Sequence, residues 1–108
     1  MSVKQITAQQ LQQRIEKTGD LPLCLDVREP AEFNIAKIEG SVLIPMGEIM
    51  ERIDELDKQQ ETVVICHHGM RSLQVAEYLV NCGFDKVANL LGGIDAWSSQ
   101  CDPDVPRY

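Results

Sequence analysis

Positive charge is scarce in this chain. Its 108 residues carry 10 Lys and Arg against 17 Asp and Glu, a formal net charge of −7. That balance argues against nucleic acid and anionic membrane surfaces, which attract basic patches. Aromatic residues are also few, with one Trp, two Tyr and two Phe, so a core here must be built of Leu, Ile and Val. No apolar run approaches the ~20 residues needed to span a bilayer. The start, Met1-Ser2-Val3-Lys4-Gln5-Ile6, lacks the apolar segment of a secretory leader, so a cytoplasmic protein is expected. The four cysteines, Cys24, Cys66, Cys82 and Cys101, include no C-x-x-C pair. A structural zinc site and the disulfide framework of a small secreted protein are both disfavoured. The glycine-rich loops that cradle nucleotide phosphates are missing too.

What is present suits one domain over residues 1–108, with 44% apolar residues to fill one core. Thr7 is placed to cap a helix. Gln10 completes a capping box, and Ile6 and Leu11 can staple it. Leu11 and Ile15 share a face, and Gly19 offers a stop. Pro22 precedes a strand over residues 23–27. Pro30 fits the first turn of a short helix. Gly40 marks a turn before a strand at 42–44, closed by Pro45. Ile49, Ile53 and Leu56 keep helical spacing, with an acidic face left to solvent. Residues 62–65 form a continuous apolar run, as in a strand buried on both sides. Leu73, Ala76, Leu79 and Val80 define the next helix face, which Gly83 ends. A strand at 87–91 leads to Gly92-Gly93 and a short helix with Ala96 and Trp97. The tail, residues 102–108, is punctuated by Pro103 and Pro106 and is expected to be irregular. Strands alternating with helices predict an α/β fold, a central parallel sheet flanked by helices on both faces. Ligands of such sheets bind beyond the carboxyl ends of the strands.

One sulfur sits at such an end. Cys66 follows Thr62-Val63-Val64-Ile65 and opens Cys66-His67-His68-Gly69-Met70-Arg71-Ser72, where helical periodicity begins. A cysteine there meets converging backbone N–H groups and the positive end of a helix dipole. Both favour the thiolate, which is the reactive form. His67, His68 and Arg71 can add positive charge. Gly69 lets the backbone curl so that several N–H groups point at one anion. Such a cradle stabilises a thiolate, a persulfide anion or an oxyanion without a metal. The plainer reading is a core cysteine ending a buried strand. A metal site of Cys66 with the two histidines is disfavoured, because consecutive residues of a tight turn rarely aim three side chains at one ion. Cys24, within Leu23-Cys24-Leu25, reads as a small core hydrophobe. Cys82, near a helix end, and Cys101, in the tail, read as structural or plain thiols.

The whole chain resembles a single-domain rhodanese, a sulfurtransferase. The likeness rests on Leu25-Asp26-Val27-Arg28-Glu29-Pro30-Ala31-Glu32-Phe33, on Ile38-Glu39-Gly40-Ser41 with Ile44-Pro45, on the Cys66 loop, and on Gly83-Phe84, Val87, Leu90-Leu91-Gly92-Gly93 and Ala96-Trp97. One departure is the pair Ala36-Lys37, where the family usually has Gly-His before the residue matching Ile38. The resemblance implies that Cys66 takes the outer sulfur of thiosulfate or a persulfide. It would hold that sulfur as a cysteine persulfide and yield it to a thiol, cyanide or another nucleophile, with ping-pong kinetics. His67, His68, Gly69, Met70 and Arg71 would form the substrate-binding loop. Asp26 and Arg28 would brace it from the neighbouring strand, or serve as a salt bridge alone. No cofactor and no metal are implied.

Two competing classes share the fold. Dual-specificity phosphatases of the cell-cycle type and related arsenate reductases have a loop one residue longer, which cradles a tetrahedral oxyanion. The four residues between Cys66 and Arg71 suit a single sulfur atom instead. Binding modules of this fold that have lost their chemistry commonly lose the loop cysteine, which is kept here. The tail is similar to the end of rhodanese domains fused to sulfur-carrier activating enzymes. This adds a sulfur-carrier protein to the expected small-molecule donor and acceptor. Neither nucleic acid nor membrane is expected as a partner.

Overall fold

The computed structural model of the chain describes residues 3–19 and 22–108; Met1 and Ser2, where the leader reading begins, lie outside them. One sheet holds β1 (Lys4–Ile6), β2 (Leu23–Asp26), β3 (Val42–Leu43), β4 (Thr62–Ile65) and β5 (Val87–Leu90). Their order is β1-β5-β4-β2-β3, and every pairing is parallel. The helices are α1 (Ala8–Thr18), α2 (Pro30–Ile35), α3 (Ile49–Arg52), α4 (Met70–Asn81) and α5 (Gly93–Gln100). Among the described residues no helix is long and apolar enough to cross a membrane.

Side chains alternate across each strand, yet both faces of β4 and β2 are covered. Val64 and Cys66 join Leu25, Val27, Val75, Ala76, Leu79 and Phe84 in the core beneath α4. Val63, Ile65 and Cys24 join Leu11, Leu90, Ile94 and Trp97 in the core beneath α1 and α5. This two-sided burial is why β4 reads as an unbroken apolar run. It also sets the site, because β4 is the central strand and Cys66 is its next residue.

Local signals act as read. Thr7 Oγ1 accepts the Gln10 N–H at 3.0 Å, and Gln10 Oε1 accepts the Thr7 N–H at 2.9 Å. Pro30 opens α2, and Glu32 reaches back to accept the Glu29 N–H at 3.0 Å. Two readings differ in detail, and one strand, β1, was not anticipated. β1 carries no apolar period, since Lys4 and Gln5 are exposed; it forms by pairing along β5, Ile6 opposite Leu90. The helix expected around Ile49 and Ile53 is one α turn between two 3₁₀ turns, Met46–Glu48 and Ile53–Glu55. The strands at 23, 42 and 87 each end one residue earlier than expected. Their ladders still continue, with Val27 N–H donating to Ile65 O, Ile44 N–H to Asp26 O and Leu91 N–H to Ile6 O.

Candidate active site

Cys66 is 1% exposed and sits where β4 turns into the loop before α4. Its Sγ accepts the Gly69 N–H at 3.0 Å and lies 3.2 Å from Ser72 Oγ. Gly69 makes this possible at φ 101°, a left-handed value that a residue with a Cβ rarely adopts. Ser72 is in the first turn of α4, so its hydroxyl points back at the sulfur. The same hydroxyl is hydrogen-bonded to Asn89 Oδ1, and Asn89 Nδ2 donates to Gly69 O at 3.1 Å and to Gln5 Oε1 at 3.0 Å. A hydroxyl has one proton to give. With a Cys66 thiol, S–H donates to Ser72 and Ser72 to Asn89. With a thiolate, Ser72 turns its proton to sulfur. A thiolate therefore takes the Ser72 proton at the cost of the Ser72–Asn89 bond.

The loop carbonyls are drawn away from the sulfur. Cys66 O accepts the Ile94 N–H at 2.8 Å and His67 O accepts the Asp95 N–H at 3.1 Å, both from the first turn of α5. Turning carbonyls outward leaves the cradle to N–H groups, as anion stabilisation requires. α5 comes this close because Gly93 has no side chain. A Cβ there would overlap Cys66 O and His67 O.

A polar ring surrounds this cradle. Glu32 accepts from Arg71 twice, at 2.8 and 2.9 Å, from the Tyr108 hydroxyl at 3.0 Å and from the Glu29 N–H. Arg71 holds the Glu32 carboxyl down to about 2, and Glu32 in turn raises Arg71. Arg28 and Asp26 are fully buried and paired at 2.7 Å. Arg28 also donates to Ala36 O, Glu32 O and Tyr108 Oη. The Tyr108 ring stacks on His67 at 4.0 Å, and His67 stacks on His68 at 3.9 Å. Burial, then the neighbouring His68, lower the His67 pKa and favour neutral imidazole.

His67, His68 and Asp95 offer ligand atoms within 4.8 Å of one another. The two rings are stacked with 27° between their planes, so their in-plane lone pairs lie in nearly parallel planes. Both Asp95 oxygens already accept from Arg107, at 2.9 and 3.1 Å. This arrangement fits charge pairing better than chelation, which needs lone pairs converging on one ion.

The rhodanese-like domain family matches residues 7–100. The chain belongs to the rhodanese-like domain family. It is 42% identical over 103 residues to the putative sulfurtransferase YtwF of Bacillus subtilis, covering 95% of this chain and 98% of that one. It is 38% identical over 103 residues to a sulfurtransferase of Allochromatium vinosum, covering 95% of each chain. The fold superposes on a rhodanese-like domain protein from Staphylococcus aureus with a TM-score of 0.82 at 30% identity, over 88% of this chain and 91% of that one. The relationship makes this a rhodanese-like sulfurtransferase at the level of class, without specifying donor or acceptor.

Of the residues expected at the rhodanese-like site, Cys66 and Gly69 meet directly at the sulfur. His67 lies under Tyr108, His68 is exposed, Met70 is 72% exposed at the start of α4, and Arg71 is turned to Glu32. Arg28 reaches the loop's surroundings through Tyr108 and Glu32, and Asp26 holds Arg28. Sequence reasoning quoted Ser72, Glu32 and Gly93 within the family motifs without giving them a role at the site, and missed Asn89, Asp95 and Tyr108. Asn89 carried a signal, a polar side chain inside the otherwise apolar run at 87–91. Tyr108 carried none, since only the folded tail brings it to His67.

Proposed function

We propose that one domain over residues 1–108 transfers sulfane sulfur through a Cys66 persulfide. The observation that carries this reading is the buried sulfur at the end of β4, facing the Gly69 N–H and the Ser72 hydroxyl, with nearby carbonyls tied to α5. The thiolate attacks the outer sulfur of a donor. One S–S bond forms to Cys66 as the donor's S–S bond breaks, and the bonding pair leaves as sulfite or as a thiolate. A thiol, cyanide or a sulfur-carrier protein then attacks the persulfide and regenerates Cys66. The loop N–H groups and Ser72 stabilise the charge on sulfur in both halves. Met70 and His68 are the exposed side chains an incoming donor or acceptor meets. Asp26 and Arg28 act as supports of this ring. A reducing cytoplasm is the fitting compartment, since four unpaired cysteines persist there.

The test is mass spectrometry of the intact protein after exposure to thiosulfate or to a low-molecular-weight persulfide, with peptide mapping of the product. Gain of one sulfur atom on Cys66 is the expected result. Turnover of an aryl phosphate matching that of either sulfur donor would instead favour the phosphatase class.

A further inference from the structure

We propose that Glu32 determines which sulfur donor this protein prefers. By closing Arg71 into a charge-neutral pair beside the Cys66 loop, it favours donors that leave as a thiol over dianionic thiosulfate. The inference rests on the sulfurtransferase reading and narrows its substrate class.

The charges around the loop are matched. Arg28 is paired with Asp26, Arg71 with Glu32 and Arg107 with Asp95. His68 Nε2 lies 3.9 Å from Asp95, and His67 is held toward neutrality between two rings. Among the described residues, each arginine that borders the loop or its ring thus has a carboxylate partner. Arg71 is the one placed to matter most, because the next residue, Ser72, touches Cys66 Sγ.

The pair is locked from the Glu32 side. A carboxylate has about four acceptor positions. Those of Glu32 meet two Arg71 donors, the Tyr108 hydroxyl and the Glu29 N–H. Tyr108 can donate to Glu32 because its oxygen accepts from Arg28 at 2.8 Å. Rotating Arg71 toward an incoming anion would therefore strip a buried-edge carboxylate of two charge-assisted bonds.

Donor chemistry makes this decisive. Attack on thiosulfate brings a dianion to a thiolate and expels sulfite, which carries two negative charges. Attack on an alkyl persulfide expels one thiolate, which takes up one proton. The first reaction needs local positive charge far more than the second. With Arg71 compensated, backbone N–H groups and one hydroxyl remain, which suffice for one charge on sulfur.

The experiment measures kcat and KM for thiosulfate and for an alkyl persulfide with wild type, Glu32→Gln, Arg71→Gln, the double variant and Tyr108→Phe. Gln preserves the capping box at the start of α2 and removes the charge. In Glu32→Gln the thiosulfate-to-persulfide ratio of kcat/KM should rise about tenfold, equivalent to freeing one partly screened charge, mainly through a lower KM for thiosulfate. Arg71→Gln should lower the ratio, and the double variant should return it toward wild type. Tyr108→Phe removes one of the bonds locking Glu32 and should shift the ratio in the same direction as Glu32→Gln, but less. It carries the test if Glu32→Gln folds poorly. An unchanged or lower ratio in folded Glu32→Gln and Tyr108→Phe protein overturns the assignment. If neither donor adds sulfur to Cys66 in wild type, the sulfurtransferase reading falls with it. If both do and the ratio ignores Glu32 and Tyr108, only the donor preference falls.

Discussion

Cys66 differs from the other three cysteines in what surrounds its sulfur. Cys24 is fully buried, and burial pushes its thiol up to about 12, which keeps it protonated and inert. Cys101 is also raised, by burial and then by Glu16 and Asp102. Cys66 is as buried as Cys24, but its sulfur faces an N–H and a hydroxyl rather than aliphatic carbon. Burial with matched donors supports a charged sulfur, and burial without them suppresses one. Replacing Cys66 with Ser should abolish sulfur transfer from thiosulfate to cyanide, whereas Cys24→Ser, Cys82→Ser and Cys101→Ser should retain transfer in their folded fractions. Full transfer by Cys66→Ser protein would exclude a cysteine persulfide at this position. Cys66 was legible because its place, between an apolar run and a helix, is fixed by sequence alone. Ser72 was harder to find. Its role depends on the first helical turn facing the sulfur, and a serine there reads equally well as ordinary helix-start chemistry.

Elements place these groups, and the tightest placement is α5 against the Cys66 loop. Gly93 has φ 61°, and an added Cβ would overlap two loop carbonyl oxygens. Gly93→Ala should therefore cost about 1–3 kcal/mol of stability through overpacking and backbone strain. It should also cut sulfur transfer more than 10-fold if displaced carbonyls spoil the cradle, since that loss corresponds to about 1.4 kcal/mol in the barrier. Urea unfolding and initial rates check both; wild-type values in each would mean that α5 can shift without disturbing the loop. The Glu32–Arg71 pair ties α2 to α4 in a pH-dependent way. Arg71 holds the Glu32 carboxyl at about 2, below its ordinary 4.5. Its contribution is therefore present above pH 4.5 and is lost as the pH falls toward 2. Because the pair is partly open to solvent, the contribution is on the order of 1 kcal/mol. Glu32→Gln should be less stable than wild type by about that amount near neutrality, with the gap closing as the medium is acidified. A gap that stays constant with pH would assign the loss to packing. Most elements were legible from caps, prolines and apolar spacing. β1 was not, because an edge strand of three residues takes its structure from its neighbour rather than from its own pattern.

At the scale of the whole molecule, the parallel sheet gathers β2, β4 and β5 at one end, so that Asp26, Cys66 and Asn89 derive from three separate stretches of chain. The tail completes that end: Ser98 Oγ bonds Val105 O, Arg107 meets Asp95, and Tyr108 reaches Arg28 and Glu32. Tail composition gave its irregularity, but not its contacts with the site, because those depend on two distant segments folding first. Net charge acts at this scale as well. The molecule has a radius of gyration of 12.7 Å and carries −7. At about 0.01 M salt the screening length is ~30 Å, so an anion at the Cys66 loop feels the whole charge; at about 0.15 M it is ~8 Å, and mainly the matched pairs beside the loop are felt. The two regimes predict a sign. Raising salt from about 0.01 to 0.15 M should lower the KM for thiosulfate severalfold, because it screens long-range repulsion. In Glu32→Gln, where Arg71 loses its carboxylate partner, the same change should lower KM less or raise it, because screening then also weakens a local attraction. Steady-state kinetics at fixed pH, with salt exchanged for a neutral osmolyte as control, decide the matter. A wild-type KM that rises with salt would mean that an uncompensated cation already governs the loop, contrary to the paired charges around it.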